Sequence, residues 1–527
     1  MASQVPEFKH TEVGAIPSVV NQVRSAFNAQ KTKPVEFRLV QLRKLYWGLK
    51  DNEAALLEAC KHDIGKGTFE TMLTEISWCE NDIVFVCNNL AKWAKDEKAP
   101  DMPLTNSLFS PTIRKDPLGC VLVIGAYNFP VNLTIGPLVG AIAAGNTAIV
   151  KPSESAPATA AVLQRIIENY LDPSCYGVVQ GAIPETTALL DQKWDMIFYT
   201  GGAVVGKIIA KKAAETLTPV TLELGGRNPA IVTKNADVRL AARRLLWGKF
   251  LNAGQVCLSQ NYILVDKEVL PGFLAELRKA MQEFYPDGAK ASPDYGRIIN
   301  ERQWRRLKNM IDESKGKILM GGTMDEADKF MEPTVIQVDD LNDSLIKDES
   351  FGPLIPILPV EDLDQAIRIA NEVQATPLAL YPFGSKKETN RVLNEVRSGG
   401  ASVNDSFFHA SIPTLAFGGV GESGQGAYRG KASFDCFTHR RSVTTTPGWL
   451  EGMISIRYPP YKGKWDKAKK MNELKPNFDR EGKVKTSVFK YLLTLGAGSF
   501  TWGFSRFVLI LLAALGVRQY LERRARL

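Results

Sequence analysis

Only four histidines occur in the 527 residues (His10, His62, His409 and His439), and no two are spaced to share a metal. That argues against histidine-based metal catalysis. Cysteine is sparse as well: seven, odd in number, scattered and without a Cys-x-x-Cys pair. Neither a disulfide framework nor a zinc site follows from such a set, and it suits a reducing compartment. The start, "MASQVPEFKHTEVGAIP", has no basic segment leading into an apolar run, and it carries Glu7 and Glu12. It reads as neither a secretory signal nor a transit peptide. There is no internal repeat of solenoid period, and no zinc-finger or aromatic nucleic-acid platform, so nucleic acid is not an expected partner.

What is present is ordinary in amount and unusual in place. Hydrophobic residues make up 45% and charged ones 23% of the chain, as in a globular protein, and the length calls for two or three domains. The net charge of +8 is concentrated: from Arg440 onward there are 18 Lys/Arg against 6 Asp/Glu, leaving −4 for everything before. The first hundred residues show apolar positions three and four apart, the pattern of helices. From Gly119 the texture changes to short apolar runs ("CVLVIGA", "TAIVKPSE", "DMIFYTGG") separated by helical stretches. Buried strands alternating with helices predict a doubly wound parallel sheet, and a second such region runs from about Thr221 to Gly430.

The only Gly-x-Gly-x-x-Gly match, "GVGESG" at Gly419–Gly424, follows no strand–turn–helix unit and reads as a loop. In "FYTGGAVVGKIIAKKAA" an apolar strand runs into Gly201 and Gly202, with Gly206 on the helix beyond. This is either a phosphate-holding turn or plain strand–helix punctuation. Lys151 and Glu154 in "IVKPSE" close another strand, where they reach a nucleotide ribose or simply face water. "TLELGGRNP" buries a lone carboxylate, Glu223, whose pKa burial raises toward general-base duty. Asn128 in "GAYNFP" is an oxyanion donor or a turn residue. "DESFGP" contributes Glu349 and Phe351, and "SVNDSF" contributes Asn404. Cys257 stands in "NAGQVCLSQ", among small and polar neighbours.

Taken in order, "GAYNFP", "KPSE", "FYTGGAVVG", "LELGGRNP", "NAGQVCLSQ", "ESFGP" and "AFGGVGESGQGAY" resemble the aldehyde dehydrogenase superfamily over roughly residues 15–460. "DYGRIINERQWRRL", "SFDCFTHRR" and "IRYPPY" look most like its class 3 branch, which includes membrane-anchored fatty aldehyde dehydrogenases. The resemblance implies Cys257 as nucleophile, Glu223 as general base, and Asn128 with the Cys257 N–H as oxyanion donors. It places Lys151 and Glu154 at the adenosine ribose, Gly201, Gly202 and Gly206 at the pyrophosphate, and Glu349 and Phe351 at the nicotinamide half. It implies NAD, with NADP as a possible substitute, no metal, and a homodimer. The reaction would be oxidation of an aldehyde, medium- or long-chain, to a carboxylic acid. The readings set against it are a CoA-acylating semialdehyde dehydrogenase, an aromatic aldehyde dehydrogenase and an inactive scaffold. The chain departs from the family pattern at "CLSQN", at Arg227 and at Gly202, which bears on loop shape and cofactor preference.

The expected organisation is a Rossmann-type nucleotide domain over 1–222, with a bridging β extension near 98–117, and an α/β catalytic domain over 223–430. A small oligomerisation extension and basic linker follow over 431–490, then a tail over 491–517 and a basic end over 518–527. Between Lys490 and Arg518 the only charge is Arg506. The intervening stretch is long enough to cross a hydrocarbon core of about 30 Å. A C-terminal membrane helix of this kind predicts a tail anchor with the catalytic part in the cytosol. The basic end suits the mitochondrial outer membrane or peroxisome, with the endoplasmic reticulum or lipid droplets next.

Overall fold

Strands buried on both faces must be apolar at every position rather than at alternate ones. "CVLVI" and "TAIVK" meet that condition and form β1 (Cys120–Ile124) and β2 (Thr147–Lys151), buried throughout. They are joined in one sheet by β3 (Tyr176–Val178), β4 (Met196–Gly201) and β5 (Val220–Leu224), in the order β3-β2-β1-β4-β5, all parallel. The helix Asn132–Ala144, apolar on every side, is the buried crossover between β1 and β2. The computed structural model describes residues 4–100, 104–472, 476–484 and 500–524.

The second sheet contains β6 (Pro229–Val232), β7 (Tyr262–Asp266), β8 (Lys317–Met320), β9 (Thr334–Gln337), β10 (Leu354–Val360), β11 (Ala379–Phe383) and β12 (Gly400–Ala401). Its order is β8-β9-β10-β7-β6-β11-β12, parallel except for the edge strand β8. A third, antiparallel sheet joins Glu97–Lys98 and Thr112–Pro117 to Thr438–Val443. The "GVGESG" segment is a loop as expected, with one helical turn at Gly421–Ser423. Gly424–Gln425 then adds antiparallel to β5, with Gly424 opposite Glu223.

Met1–Thr444 and Thr445–Leu527 are separate compact units. The second contains the helices Trp465–Asn472 and Phe500–Arg524. The expected tail 491–517 is described from residue 500 onward; residues 491–499 lie outside the described residues. Among the described residues no helix is long and apolar enough to cross a membrane. Arg506 and Arg518 bound an uninterrupted apolar run at residues 507–517. At about 1.5 Å per residue that is roughly half of a hydrocarbon core.

Candidate active site

The strand order reverses direction between β1 and β4, and in such sheets the carboxyl ends flanking the reversal open a crevice. Here that crevice is a cleft of about 600 Å³, lined by Asn128, Lys151, Glu154, Gly201, Gly202, Glu223, Cys257, Glu349 and Phe351. Nine of the ten expected site residues therefore converge, from segments spread over 220 positions. Gly206 does not line the cleft. A Cβ there would stand 2.8 Å from Leu224 Cδ2, so its role is to let helix Ala203–Ala214 lie close on β5. Asn404 is a turn residue: its Oδ1 accepts from the Gly384 N–H at 2.9 Å.

Cys257 follows a loop with three successive left-handed residues, Asn252 (φ 55°), Ala253 (φ 51°) and Gly254 (φ 76°). Such backbone costs about 1–3 kcal/mol per non-glycine residue and persists only where its surroundings hold it. The Asn252 N–H donates to Glu70 Oε1 at 2.7 Å, and Asn252 Nδ2 donates to the Asn128 carbonyl at 2.6 Å. Gln255 Nε2 donates to the Arg297 carbonyl at 2.9 Å. Asn128 Nδ2 in turn donates to the Gln255 carbonyl at 3.0 Å, so the amide and the cysteine loop are directly tied.

Electrostatics mark two groups. Glu223 is buried, and neither carboxyl oxygen has a hydrogen-bond partner among the described residues; burial holds its pKa well above the usual carboxylate range. The Cys257 thiol is pushed up to about 12 by burial, then by the Glu349 and Glu223 carboxylates, against the backbone N–H groups of Leu258 and Cys257. Cys257 therefore rests as a thiol, not as the thiolate that attacks carbonyls. It also lines a second, apolar pocket walled by Trp78, Phe129, Leu133, Phe407, Phe417 and Tyr428. Among the described residues it is the one side chain common to both cavities.

A dinucleotide fits the cleft. Lys151 at the end of β2 bonds Glu154 Oε2 at 2.8 Å, which places both polar heads at the cleft wall. Gly202 opens the twelve-residue helix Ala203–Ala214 with space around it, and that helix end favours a phosphate. Glu349 presses its carboxyl on Gly225, where a Cβ would stand 2.2 Å from Oε2. Sequence reasoning missed Tyr127, Arg302 and Arg306, which line the same cleft. It also missed Lys249, whose pKa burial lowers to about 7. Arg302 and Arg306 stand on the helix Glu301–Glu313, and nothing in the sequence says which of its faces meets the cleft.

Comparison with known proteins agrees with this geometry. The family model described as "Aldehyde dehydrogenase family" matches residues 2–443. A "Beta-apo-4'-carotenal oxygenase" of Neurospora crassa is 53% identical over 500 residues, covering 94% of this chain and 93% of the relative. The mouse "Aldehyde dehydrogenase, dimeric NADP-preferring" is 43% identical over 452 residues, covering 85% of this chain and 98% of the relative. Among solved structures, a substrate-bound Staphylococcus aureus AldH superposes with a TM-score of 0.84 at 40% identity, covering 87% of this chain and 99% of that one.

Proposed function

The chain belongs to the aldehyde dehydrogenase family, and from that membership we propose that it oxidises long apolar aldehydes to carboxylic acids through a thioester on Cys257. It is an oxidoreductase that works with NAD or NADP. The observation that carries the reading is the position of Cys257, shared by a dinucleotide-sized cleft and an apolar pocket, with the unpartnered Glu223 carboxyl in the cleft wall.

Bound in the cleft, the nicotinamide supplies the hydride acceptor. Glu223 in its ionised form takes the Cys257 thiol proton and passes it to solvent, and the sulfur attacks the aldehyde carbon, giving a thiohemiacetal whose oxygen carries the charge. The oxyanion so formed is held by the Asn128 amide and the Cys257 N–H, and one such donor is typically worth about 3–4 kcal/mol in a transition state. Hydride loss leaves the acyl-thioester. Ionised Glu223 then takes a proton from water, whose hydroxide adds to the thioester carbon; the C–S bond breaks to release the acid, and Glu223 returns the proton to the Cys257 sulfur. Retention of Glu223 favours water over coenzyme A as the acceptor. Lys151 and Glu154 hold the adenosine ribose, and Glu154 disfavours a 2′-phosphate, so NAD is preferred.

The pocket's aromatic rings suit a conjugated chain, whose faces they can stack against. With the name of the Neurospora relative, they support a polyene aldehyde of the apocarotenal kind. A saturated fatty aldehyde is the second reading, supported by the class 3 motifs. The mouse relative's name supports a homodimer. The tail helix supports membrane attachment with the catalytic part cytosolic: Phe507, Leu509, Ile510, Leu512 and Val517 are all exposed along it. The test is a panel of polyene, saturated and aromatic aldehydes of graded length, assayed for NADH and for free acid against acyl-CoA. The highest kcat/KM is expected with a long polyene aldehyde, and Cys257→Ser is expected to abolish turnover while NAD still binds. Turnover of short aldehydes alone, or a near-normal rate in Cys257→Ser, overturns the reading.

A further inference from the structure

Two buried charges beside Asn128 belong to neither the nucleophile loop nor the cofactor cleft. Lys66 and Glu75 are fully buried, with Lys66 Nζ 2.6 Å from Glu75 Oε1. The same Nζ donates to the main-chain carbonyl of Asn128 at 3.2 Å and stands 4.2 Å over the Phe129 ring. Glu75 Oε2 accepts from the N–H groups of Val131 and Asn132, at 3.1 and 2.9 Å, at the start of the helix Asn132–Ala144. Glu75 lies in a π-helical turn, Met72–Ile76, an irregularity found mostly where a helix serves a site. One turn earlier, Glu70 holds the Asn252 N–H. The segment 66–75 thus grips the Asn128–Asn132 turn at both ends and the cysteine loop through Asn252.

We propose that the Lys66–Glu75 ion pair is a positioning unit for the oxyanion site, fixing the Asn128 amide against the Cys257 loop; this rests on the role given to Asn128 above. Burying two charges is costly, and well-packed apolar side chains in their place often leave a fold no less stable. A pair kept for stability alone is therefore replaceable, whereas a pair that grips the Asn128 carbonyl is not. Apolar side chains offer nothing to that carbonyl or to the Val131 and Asn132 N–H groups, so the turn shifts and the amide with it. Displacements of this size are felt in kcat rather than in cofactor affinity.

The experiment is Lys66→Met/Glu75→Leu, measured in the wild-type and Asn128→Ala backgrounds. In the wild-type background kcat is expected to fall roughly 10- to 100-fold, less than loss of the donor itself. KM should stay nearly constant and NADH affinity by fluorescence unchanged, while the thermal midpoint falls by what the unmet Val131 and Asn132 N–H groups cost. In the Asn128→Ala background the same double change should lower kcat no further, because the group it positions is already gone. A folded double variant with wild-type kcat, or losses that add fully to those of Asn128→Ala, overturns the proposal. Should the double variant not fold, Glu75→Gln keeps the size and one acceptor, and the same two outcomes decide. Failure of the underlying reading looks different: the wild-type protein then oxidises no aldehyde, or Asn128→Ala runs at full rate.

Discussion

At the scale of single residues, burial shifts the protonation of the groups proposed to react, Cys257 and Glu223. Glu223 keeps its proton in the folded protein at pH values where an exposed glutamate, with a pKa of about 4.3, has lost it. Above that value the unfolded chain binds fewer protons than the native one, so rising pH lowers stability by way of this group. Glu223→Gln should therefore match wild type in thermal midpoint near pH 4 and exceed it by roughly 1–2 °C per pH unit on going alkaline; an equal midpoint at pH 8 contradicts this. The same variant should release one equivalent of NADH per site in a burst and then turn over about 100-fold more slowly, as stopped-flow absorbance will show. Cys257 and Glu223 were legible in the sequence as candidates, a thiol among small residues and a carboxylate in an apolar strand, whereas Asn128 read alone was equally a turn residue and took its role from the family resemblance. Lys66 and Glu75 were not, since a Lys between two glycines and a Glu in a helical stretch read as solvated residues, and their targets lie 62 and 56 residues away.

At the scale of elements, the parallel strands β1 to β4 could be read directly, because burial on both faces leaves an apolar signature that no alternating strand shares. The side on which each loop turns back could not be read, because loops take their conformation from distant partners. The cysteine loop shows this: nothing in "NAGQVCLSQ" announces left-handed Asn252 and Ala253, which the hydrogen bonds to Glu70 and Asn128 hold. Gly206 is the converse case, a glycine read as cofactor-facing that instead serves helix–strand packing. Gly254 tests the loop. At φ 76° its missing Cβ would stand 2.2 Å from the Gly352 carbonyl, which keeps the cysteine loop against the segment bearing Glu349 and Phe351. Gly254→Ala should cost more than about 1 kcal/mol in stability, from the conformation alone before the clash. It should lower kcat at least tenfold; calorimetry and steady-state rates on the purified variant are the measurements.

At the scale of the molecule, the second unit carries the basic excess and a helix, Phe500–Arg524, with exposed apolar side chains from Phe507 to Val517. Full-length protein expressed in cells is expected in the membrane pellet after alkaline carbonate extraction, and protein ending at Lys490 in the supernatant with kcat on a soluble aldehyde unchanged. Full-length protein released by carbonate would contradict an integral anchor. The remaining consequence concerns traffic. With the dinucleotide in the cleft and the aldehyde in the apolar pocket, as proposed, and Cys257 the one lining residue they share among the described residues, each ligand enters by its own side and neither has to wait for the other to depart. Carboxylate product should therefore inhibit noncompetitively against NAD while competing with aldehyde. A strictly ordered pattern, with the dinucleotide always first in and last out, would mean that the two entrances communicate.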